Sequence, residues 1–196
     1  MSKSVIGCAV ALIVGILVIA LMVGGVYNRL VTLSEGVDSA WAQVENVYQR
    51  RADLIPNLVA TVKGAADFEQ ETLQNVIEAR SKVGRVTFDE APDAEQMAEF
   101  QAQQDALSSA LSRLLVVVER YPELKATQAF RDLQVQLEGT ENRIAVERRR
   151  YNEVAQEYNT ARRRFPAVLF AELMGFEDKA YFEAQPGAEE PPKVEF

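Results

Sequence analysis

The chain has 196 residues, a formal net charge of −8, one cysteine and no histidine. The acidic balance argues against nucleic acid as a partner, because a phosphate backbone is bound by an excess of Lys and Arg. Without histidine there is no Ser-His or Cys-His catalysis and no histidine-rich metal site. We therefore expect no catalytic residue, no metal ion and no cofactor.

After a short tail of residues 1–4, residues 5–27 form an uncharged apolar run. A helix needs about 20 apolar residues to cross a bilayer, so this run is predicted to be a transmembrane anchor. A cleaved signal peptide is the main alternative, but its apolar core is only roughly 7–15 residues long. A lipoprotein signal ending at Cys8 is disfavoured because no apolar run precedes that cysteine.

Small residues recur every four positions within the anchor, at Gly7, Ala11 and Gly15. This spacing lets two transmembrane helices approach closely, so these residues are predicted to mediate transmembrane association. The alternative is that Gly and Ala are simply frequent in such helices. Lys and Arg are almost evenly divided between the two flanks of the anchor. The balance tilts only slightly toward an external domain, so the side of the membrane stays undecided.

Residues 28–165 show helical periodicity, few glycines and prolines, and no strand-like alternation. The first helix of this region continues from the anchor without a break and carries an apolar stripe suited to a helical bundle. Pro56 removes one helical hydrogen bond, so we expect a kink or interruption between Arg51 and Leu54. Gly64 is the predicted end of this helix.

A short second helix is predicted over residues 68–83, with Asp67 as its N-terminal cap. A loop over residues 84–92 follows, rich in turn-forming residues. Asp93 is the predicted cap of a third helix. The face of this helix advances by alternating threes and fours through Met97, Phe100, Gln104, Leu107, Leu111, Leu114, Val118 and Tyr121.

A fourth helix is predicted to begin at Pro122 and to run to Arg164. Its apolar residues follow a strict seven-residue repeat, which is typical of helices that supercoil against partners. They are Phe130, Leu137, Ile144, Tyr151, Tyr158 and Phe165. The fold class is therefore all-α, with an N-terminal single transmembrane helix continuing into an elongated antiparallel four-helix, coiled-coil-like bundle. The first and last bundle helices would span roughly 54 Å and 63 Å.

The remaining residues differ in composition from the bundle. Residues 166–184 are predicted to form a short apolar helix over 167–174, ended by Gly175, and then an extended aromatic segment. Residues 185–196 are acidic and rich in proline, a composition typical of disordered tails.

Two charged residues interrupt the apolar series of the bundle. Arg51 takes a core position in the first helix, and Glu147 takes one in the last. With Asn57 and Asn142 nearby in sequence, they are predicted to form a polar core layer that fixes helix register at a cost in stability. The alternative is that Arg51 faces solvent at the expected Pro56 kink.

The fourth helix ends in a basic triplet, Arg162, Arg163 and Arg164, followed by Phe165 and then Phe170. If this helix returns to the bilayer, the arginines can contact anionic headgroups and the phenylalanines can enter the interface. These residues are therefore predicted membrane-surface contacts. The alternative is that the cations only complement the helix macrodipole at its C-terminus.

Several blocks along the chain match a known pattern. They are RRADLIPNLV at 50–59, ERYPELKA at 119–126, GTENRIA at 139–145, RRRYN at 148–152, YN at 158–159, RFP at 164–166 and KVEF at 193–196. Together they resemble the LemA family of bacterial membrane proteins, over nearly all of the chain after the anchor. One departure lies at residues 65–68, where relatives often carry a tyrosine and a histidine.

The resemblance implies one N-terminal transmembrane helix, a helical bundle and no established catalytic activity. Family members include a magnetosome membrane protein, and their genes often lie beside genes for membrane metalloproteases. By analogy we expect a non-enzymatic, membrane-anchored scaffold or adaptor that self-assembles and organises a membrane surface or recruits a membrane partner. The alternative is a regulatory or substrate-delivery subunit for a membrane protease. A distant third is an enzyme that uses Asp53 and Glu141 as acid and base.

The expected partners follow from the apolar anchor, the net charge and the resemblance together. They are the lipid bilayer, further copies of this chain in a homo-oligomer, and a membrane protease, with no nucleic acid. The expected location is the bacterial inner membrane, crossed once.

Overall fold

A computed structural model describes residues 3–64, 68–84, 88 and 90–183. Within these ranges the fold is all-α, as predicted, and contains no strand. The helices are α1 (Lys3–Lys63), α2 (Gln70–Val83), α3 (Ala94–Val118), α4 (Pro122–Lys125) and α5 (Gln128–Arg163), followed by a 3₁₀ turn at Ala167–Leu169. The predicted cap Asp67 and the predicted tail at residues 185–196 lie outside the described residues.

Helix α1 joins the apolar run to the bundle without a break over 61 residues, a length of roughly 90 Å. Among the described residues it is the one helix long and apolar enough to cross a membrane. The large apolar side chains of residues 12–21 are 55–70% exposed, whereas Leu30 is 1% exposed and Val37 is fully buried. Full burial against the rest of the bundle therefore begins at Leu30, just beyond the predicted anchor, after partial contacts at Val26 and Tyr27.

The expected interruption at Pro56 does not occur, because α1 continues to Lys63 and Gly64 follows it as a turn. Pro56 has no amide hydrogen to donate to the carbonyl of Ala52, four residues earlier. That carbonyl instead accepts a hydrogen bond from Arg80 Nε of α2 at 3.0 Å. A neighbouring helix thus satisfies the acceptor that the proline leaves free.

Helices α2 and α3 form the second antiparallel pair of the bundle. Helix α2 begins at Gln70, slightly later than predicted, and Glu69 precedes it without a side-chain capping bond. Helix α3 begins as predicted after Asp93, whose carboxylate accepts from the Gln96 amide while the Gln96 side chain accepts from the Asp93 amide. This reciprocal capping box satisfies two otherwise unpaired donors at the helix start.

The fourth predicted helix is two helices. The chain leaves the short α4 at Lys125, and Thr127 then caps α5 by accepting a hydrogen bond from the Phe130 amide. The Thr127 hydroxyl also donates to the carbonyl of Leu124 at 2.7 Å. A threonine favours such a cap because its oxygen replaces a missing intrahelical partner, so a new helix starts there.

The core forms three clusters along the rod. The membrane-distal cluster is mainly aliphatic and includes Ile55, Leu58, Leu107, Leu114 and Phe130. The middle cluster is aromatic and surrounds Trp41, Tyr48, Phe100, Tyr151, Tyr158 and Phe182. A small third cluster contains Leu30, Ala167 and Ala171. The seven-residue repeat of α5 is buried from Phe130 to Tyr158, but its last member, Phe165, is 76% exposed.

The predicted α-helix over 167–174 is instead a single 3₁₀ turn followed by further turns. Gly175 closes this segment with a φ of 80°, a conformation that favours glycine over residues with a side chain. We call residues 165–176 the foot. Residues 177–183, the strap, then follow α5 without helical or strand structure.

Candidate functional site

The strap is held to α5 by two asparagines that act in the same way. The Asn152 side chain donates to the carbonyl of Phe182 at 3.0 Å and accepts from the Phe182 amide at 2.9 Å. The Asn159 side chain donates to the carbonyl of Lys179 at 2.8 Å and accepts from the Lys179 amide at 2.9 Å. Each side-chain amide therefore pairs with one backbone residue of the strap as a neighbouring strand would.

The distance between the two asparagines along α5 matches the distance between their partners along the strap. Asn152 and Asn159 are seven helical residues apart, which is roughly 10.5 Å along α5. Lys179 and Phe182 are three extended residues apart, which is roughly 10 Å. The strap therefore lies antiparallel to α5 with both pairs formed without stretching. Both asparagines follow a buried tyrosine of the seven-residue repeat, at positions where the sequence resembles the LemA pattern.

The strap also completes the aromatic cluster of the bundle. The Phe182 ring stacks on Trp41, with centroids 6.0 Å apart, and meets Tyr151 edge to face at 5.4 Å. Burial raises the pKa of Tyr151 and of Tyr158, so both phenols are protonated at neutral pH. The Tyr158 hydroxyl donates to the carbonyl of Glu177 at 2.9 Å, which fixes the start of the strap.

The foot packs against α1 where the apolar run ends. Ala167 and Ala171 are buried against Leu30. The Phe176 ring meets Tyr27 edge to face, with centroids 5.6 Å apart. Arg162 Nε donates to the carbonyl of Phe176 at 2.7 Å, which ties the end of the foot back to α5. The last bundle helix therefore returns to the base of the predicted anchor.

Two of the arginines predicted to contact the membrane form ion pairs within the chain instead. Arg162 Nη1 lies 2.8 Å from one Asp178 oxygen, and Arg163 Nη2 lies 2.9 Å from the other. The hydrogen bond from Arg163 lowers the pKa of the Asp178 carboxyl. Arg164 and Phe165 are exposed, whereas Phe170 is partly buried. The arginines thus hold the foot and strap together, and apolar side chains dominate the surface of the foot.

Arg51 lies in the bundle interior and is only 1% exposed. Its Nη2 donates to Gln104 Oε1 at 2.5 Å. Its Nη1 donates to Ser108 Oγ at 2.8 Å and to Glu141 Oε1 at 2.6 Å. The guanidinium also lies 5.2 Å from the Tyr48 ring centroid. The result is a polar contact that links α1, α3 and α5 at one level.

The partners of Arg51 differ from those predicted. Asn57 and Asn142 are exposed, and Glu147 is half-buried with Arg150 as its ion-pair partner at 3.9 Å. Asn57 lies six residues beyond Arg51 on α1, about 240° around the helix, so the rotation that buries Arg51 exposes Asn57. Asn142 follows the half-exposed Glu141 on the outer side of α5. The polar group that sequence reasoning missed is Gln104, which occupies a core position in the apolar series of α3.

The predicted association residues Gly7, Ala11 and Gly15 lie on the exposed surface of α1. A Cβ atom added at Gly7 or Gly15 would meet nothing within 4 Å. Their surface is therefore open to a neighbouring helix. Elsewhere, the described residues contain no group of three or more His, Cys, Asp or Glu side chains placed to hold a metal ion.

These features define an all-α bundle protein whose first helix carries an apolar segment long enough to cross a bilayer. The chain belongs to the LemA family, whose sequence pattern matches residues 40–196.

Three similar proteins show the breadth of the family. Magnetosome protein MamQ 2 of Paramagnetospirillum magneticum is 26% identical over 84% of this chain and 67% of its own length. Magnetosome protein MamQ of Magnetospirillum gryphiswaldense is 24% identical over the same shares. Protein LemA of Metamycoplasma hominis is 24% identical over 80% of this chain and 68% of its own length. Together with the apolar helix, these relatives support a location at a membrane.

Proposed function

We propose that this protein is a non-enzymatic scaffold, anchored by a single crossing of the bacterial inner membrane. It self-assembles through its anchor and organises a membrane surface or holds a partner at that surface. One observation carries the proposal: α1 runs unbroken from Lys3 to Lys63, so no flexible linker separates the apolar segment from the bundle. A contact between anchors would therefore also set the direction in which the bundles project.

The buried guanidinium of Arg51 is engaged within the bundle, which supports a structural role for this residue over a catalytic one. The buried polar residues include Arg51 and Gln104, and these bond to each other across the bundle. The relatives named as magnetosome proteins support a role at a membrane-associated structure.

Self-assembly is tested on the full chain in detergent by native mass spectrometry. Replacing Gly7 and Gly15 with Leu adds bulk to the proposed contact face. The matched control, Ala20→Leu with Gly24→Leu, adds similar bulk on another side of α1, since each residue turns the helix by about 100°. We expect the wild type and the control to be oligomeric, and the Gly7→Leu/Gly15→Leu chain to have at most half their mass.

A monomeric wild type, or equal masses for the two double variants, would contradict self-assembly through this face. A small hetero-complex captured from native membranes, containing a protease and one copy of this chain, would favour a regulatory subunit over a scaffold.

A further inference from the structure

The foot exposes an unusual amount of apolar side chain for so short a segment. Phe165 is 76% exposed, Val168 53%, Leu169 62% and Leu173 88%. Scattered single apolar residues are normal on a protein surface, but neighbouring ones mark a contact site. Exposed charged residues of both signs border this surface, among them Arg164 and Glu172.

The position of the foot indicates what covers this surface. Its inner face packs on Leu30 and Val26, and its Phe176 ring touches Tyr27. Tyr27 closes the uncharged run, and Leu30 lies one helical turn beyond it, roughly 5 Å along α1. The polar interface on each side of a bilayer is itself roughly 5–7 Å thick. The exposed side chains therefore lie at the depth where α1 leaves the hydrocarbon.

The foot is also fixed in place before it meets a membrane. Arg162 holds the carbonyl of Phe176, and Asn159 holds the strap that follows. Gly175 makes the turn between foot and strap with its positive φ. Little ordering is then needed when the foot contacts lipid, which favours insertion.

From these observations we infer that the foot inserts Phe165, Val168, Leu169 and Leu173 into the interface of the leaflet from which the bundle emerges. The occupant of this surface is lipid, because the foot that carries it packs on Val26, Tyr27 and Leu30, where the apolar run of α1 ends. Arg162 and Arg163 share the carboxylate of Asp178, which neutralises part of the basic triplet, so we expect apolar contact to contribute most to insertion. The inference rests on the anchoring part of the proposed function and is independent of self-assembly.

Insertion would fix the bundle relative to the bilayer at two points, the anchor and the foot. A helix anchored alone can rotate and tilt freely in the membrane, whereas a second contact off its axis resists both motions. The foot would therefore set which faces of the bundle point along the membrane surface.

The test places one fluorescent label on the full chain. In a Cys8→Ser background, Leu173→Cys carries an environment-sensitive nitrobenzoxadiazole label, and Val146→Cys carries the same label on an exposed site of α5 as the matched control. Circular dichroism first checks that both labelled chains are helical. The chains are reconstituted at high dilution, at most one per vesicle, in phosphatidylcholine vesicles with or without nitroxide-labelled lipids.

We expect the label at position 173 to emit at shorter wavelength and to be quenched by nitroxide lipids at least twice as strongly as the label at 146. Vesicles with added phosphatidylglycerol should give the same quenching at position 173. Equal quenching at the two positions would overturn the inference, and so would quenching that requires the anionic lipid. A blue-shifted but unquenched label would mean that protein covers the foot, which also overturns it. Since each vesicle holds one chain, these outcomes do not depend on self-assembly.

Discussion

Arg80 Nε donates a hydrogen bond to the carbonyl of Ala52 at 3.0 Å, and this is the carbonyl that Pro56 leaves without its helical partner. The contact joins α2 to α1 at the point where α1 would otherwise be weakest. A long helix can therefore carry a proline in its interior and remain continuous, because a neighbouring helix supplies the missing donor. This continuity keeps the last turns of α1, up to Lys63, in line with the rest of the helix.

Replacing Arg80 with Ala should lower the free energy of unfolding by about 1–3 kcal/mol, since the partly buried Ala52 carbonyl then lacks a donor. In a Pro56→Ala background the cost of Arg80→Ala should shrink to less than half, because the backbone amide of residue 56 restores the helical bond. Urea unfolding of the detergent-solubilised chain, followed by circular dichroism, measures this double-mutant cycle. Arg113→Ala, at an exposed site of α3, is the control and should change stability by under about 0.5 kcal/mol. Additive effects of Arg80→Ala and Pro56→Ala would show that the contact does not serve the proline.

Removing Arg51 alone should destabilise the bundle more than removing Arg51 and Gln104 together. Arg51→Met leaves the buried Gln104 side chain without its donor and should cost about 2 kcal/mol, less than a fully buried ion pair because Glu141 is half-exposed. Adding Gln104→Leu should recover at least half of that loss, since an apolar pair of similar volume replaces both polar groups. Unfolding in urea measures each step.

Arg50→Met, at the exposed neighbouring position, is the matched control and should be nearly neutral. If Arg51→Met were equally neutral, the buried contact would contribute nothing to stability. Native mass spectrometry of the Arg51→Met/Gln104→Leu chain adds a second readout: a mixture of masses would show that the polar contact fixes register or assembly.

The strap should open locally when its asparagines are removed. Asn159→Ala deletes the acceptor of the Lys179 amide, so hydrogen exchange of that amide should accelerate at least tenfold. The Phe182 amide, held by Asn152, should remain more protected than the Lys179 amide in this variant. Asn142→Ala on the exposed side of α5 is the control. Unchanged exchange at Lys179 would refute the pairing between the helix and the strap.

Periodicity predicted the helices well because each apolar face repeats locally. The cap at Asp93 and the end of α1 near Gly64 are confirmed. The break before Thr127 was missed because the seven-residue repeat begins only at Phe130, so it does not reveal whether the backbone hydrogen bonds are continuous between Pro122 and Phe130. The interruption expected at Pro56 was wrong because of a contact distant in sequence. Arg80 donates the hydrogen bond to the Ala52 carbonyl that the proline cannot donate.

The site was harder to predict than the fold. Gln104 sits in an apolar series, and that irregularity was the available signal for the partner of Arg51. From the sequence alone, Asn152 and Asn159 resemble solvent-exposed helix residues. Their role was not predictable because their partners are backbone groups of the strap, 20 to 30 residues away. Asp178 likewise neutralises Arg162 across a turn that periodicity cannot describe. Contacts made by irregular segments depend on the path of the chain, which local patterns do not encode.

The buried tyrosines should make the bundle sensitive to alkaline pH. Burial raises the pKa of Tyr48 to about 12, against an ordinary value of 10.0, and raises the pKa of Tyr151 as well. In the unfolded chain these phenols begin to ionise near their ordinary pKa, while in the folded chain they stay protonated to higher pH. The stability that they contribute is therefore complete below about pH 10 and is lost as the pH rises toward the folded values.

Tyr151→Phe separates this effect from packing. The Tyr151 hydroxyl is buried without a hydrogen-bond partner, so its removal should change stability at pH 7 by under about 0.5 kcal/mol. Between pH 9 and 11 the variant should lose stability less steeply than the wild type, because one phenol no longer ionises on unfolding. Tyr158→Phe is the contrasting variant and should cost about 1 kcal/mol at pH 7, since it deletes the hydrogen bond to Glu177. Urea midpoints across this pH range measure both slopes. An identical slope for Tyr151→Phe and the wild type would show that this phenol is already as accessible to ionisation in the folded chain as in the unfolded one.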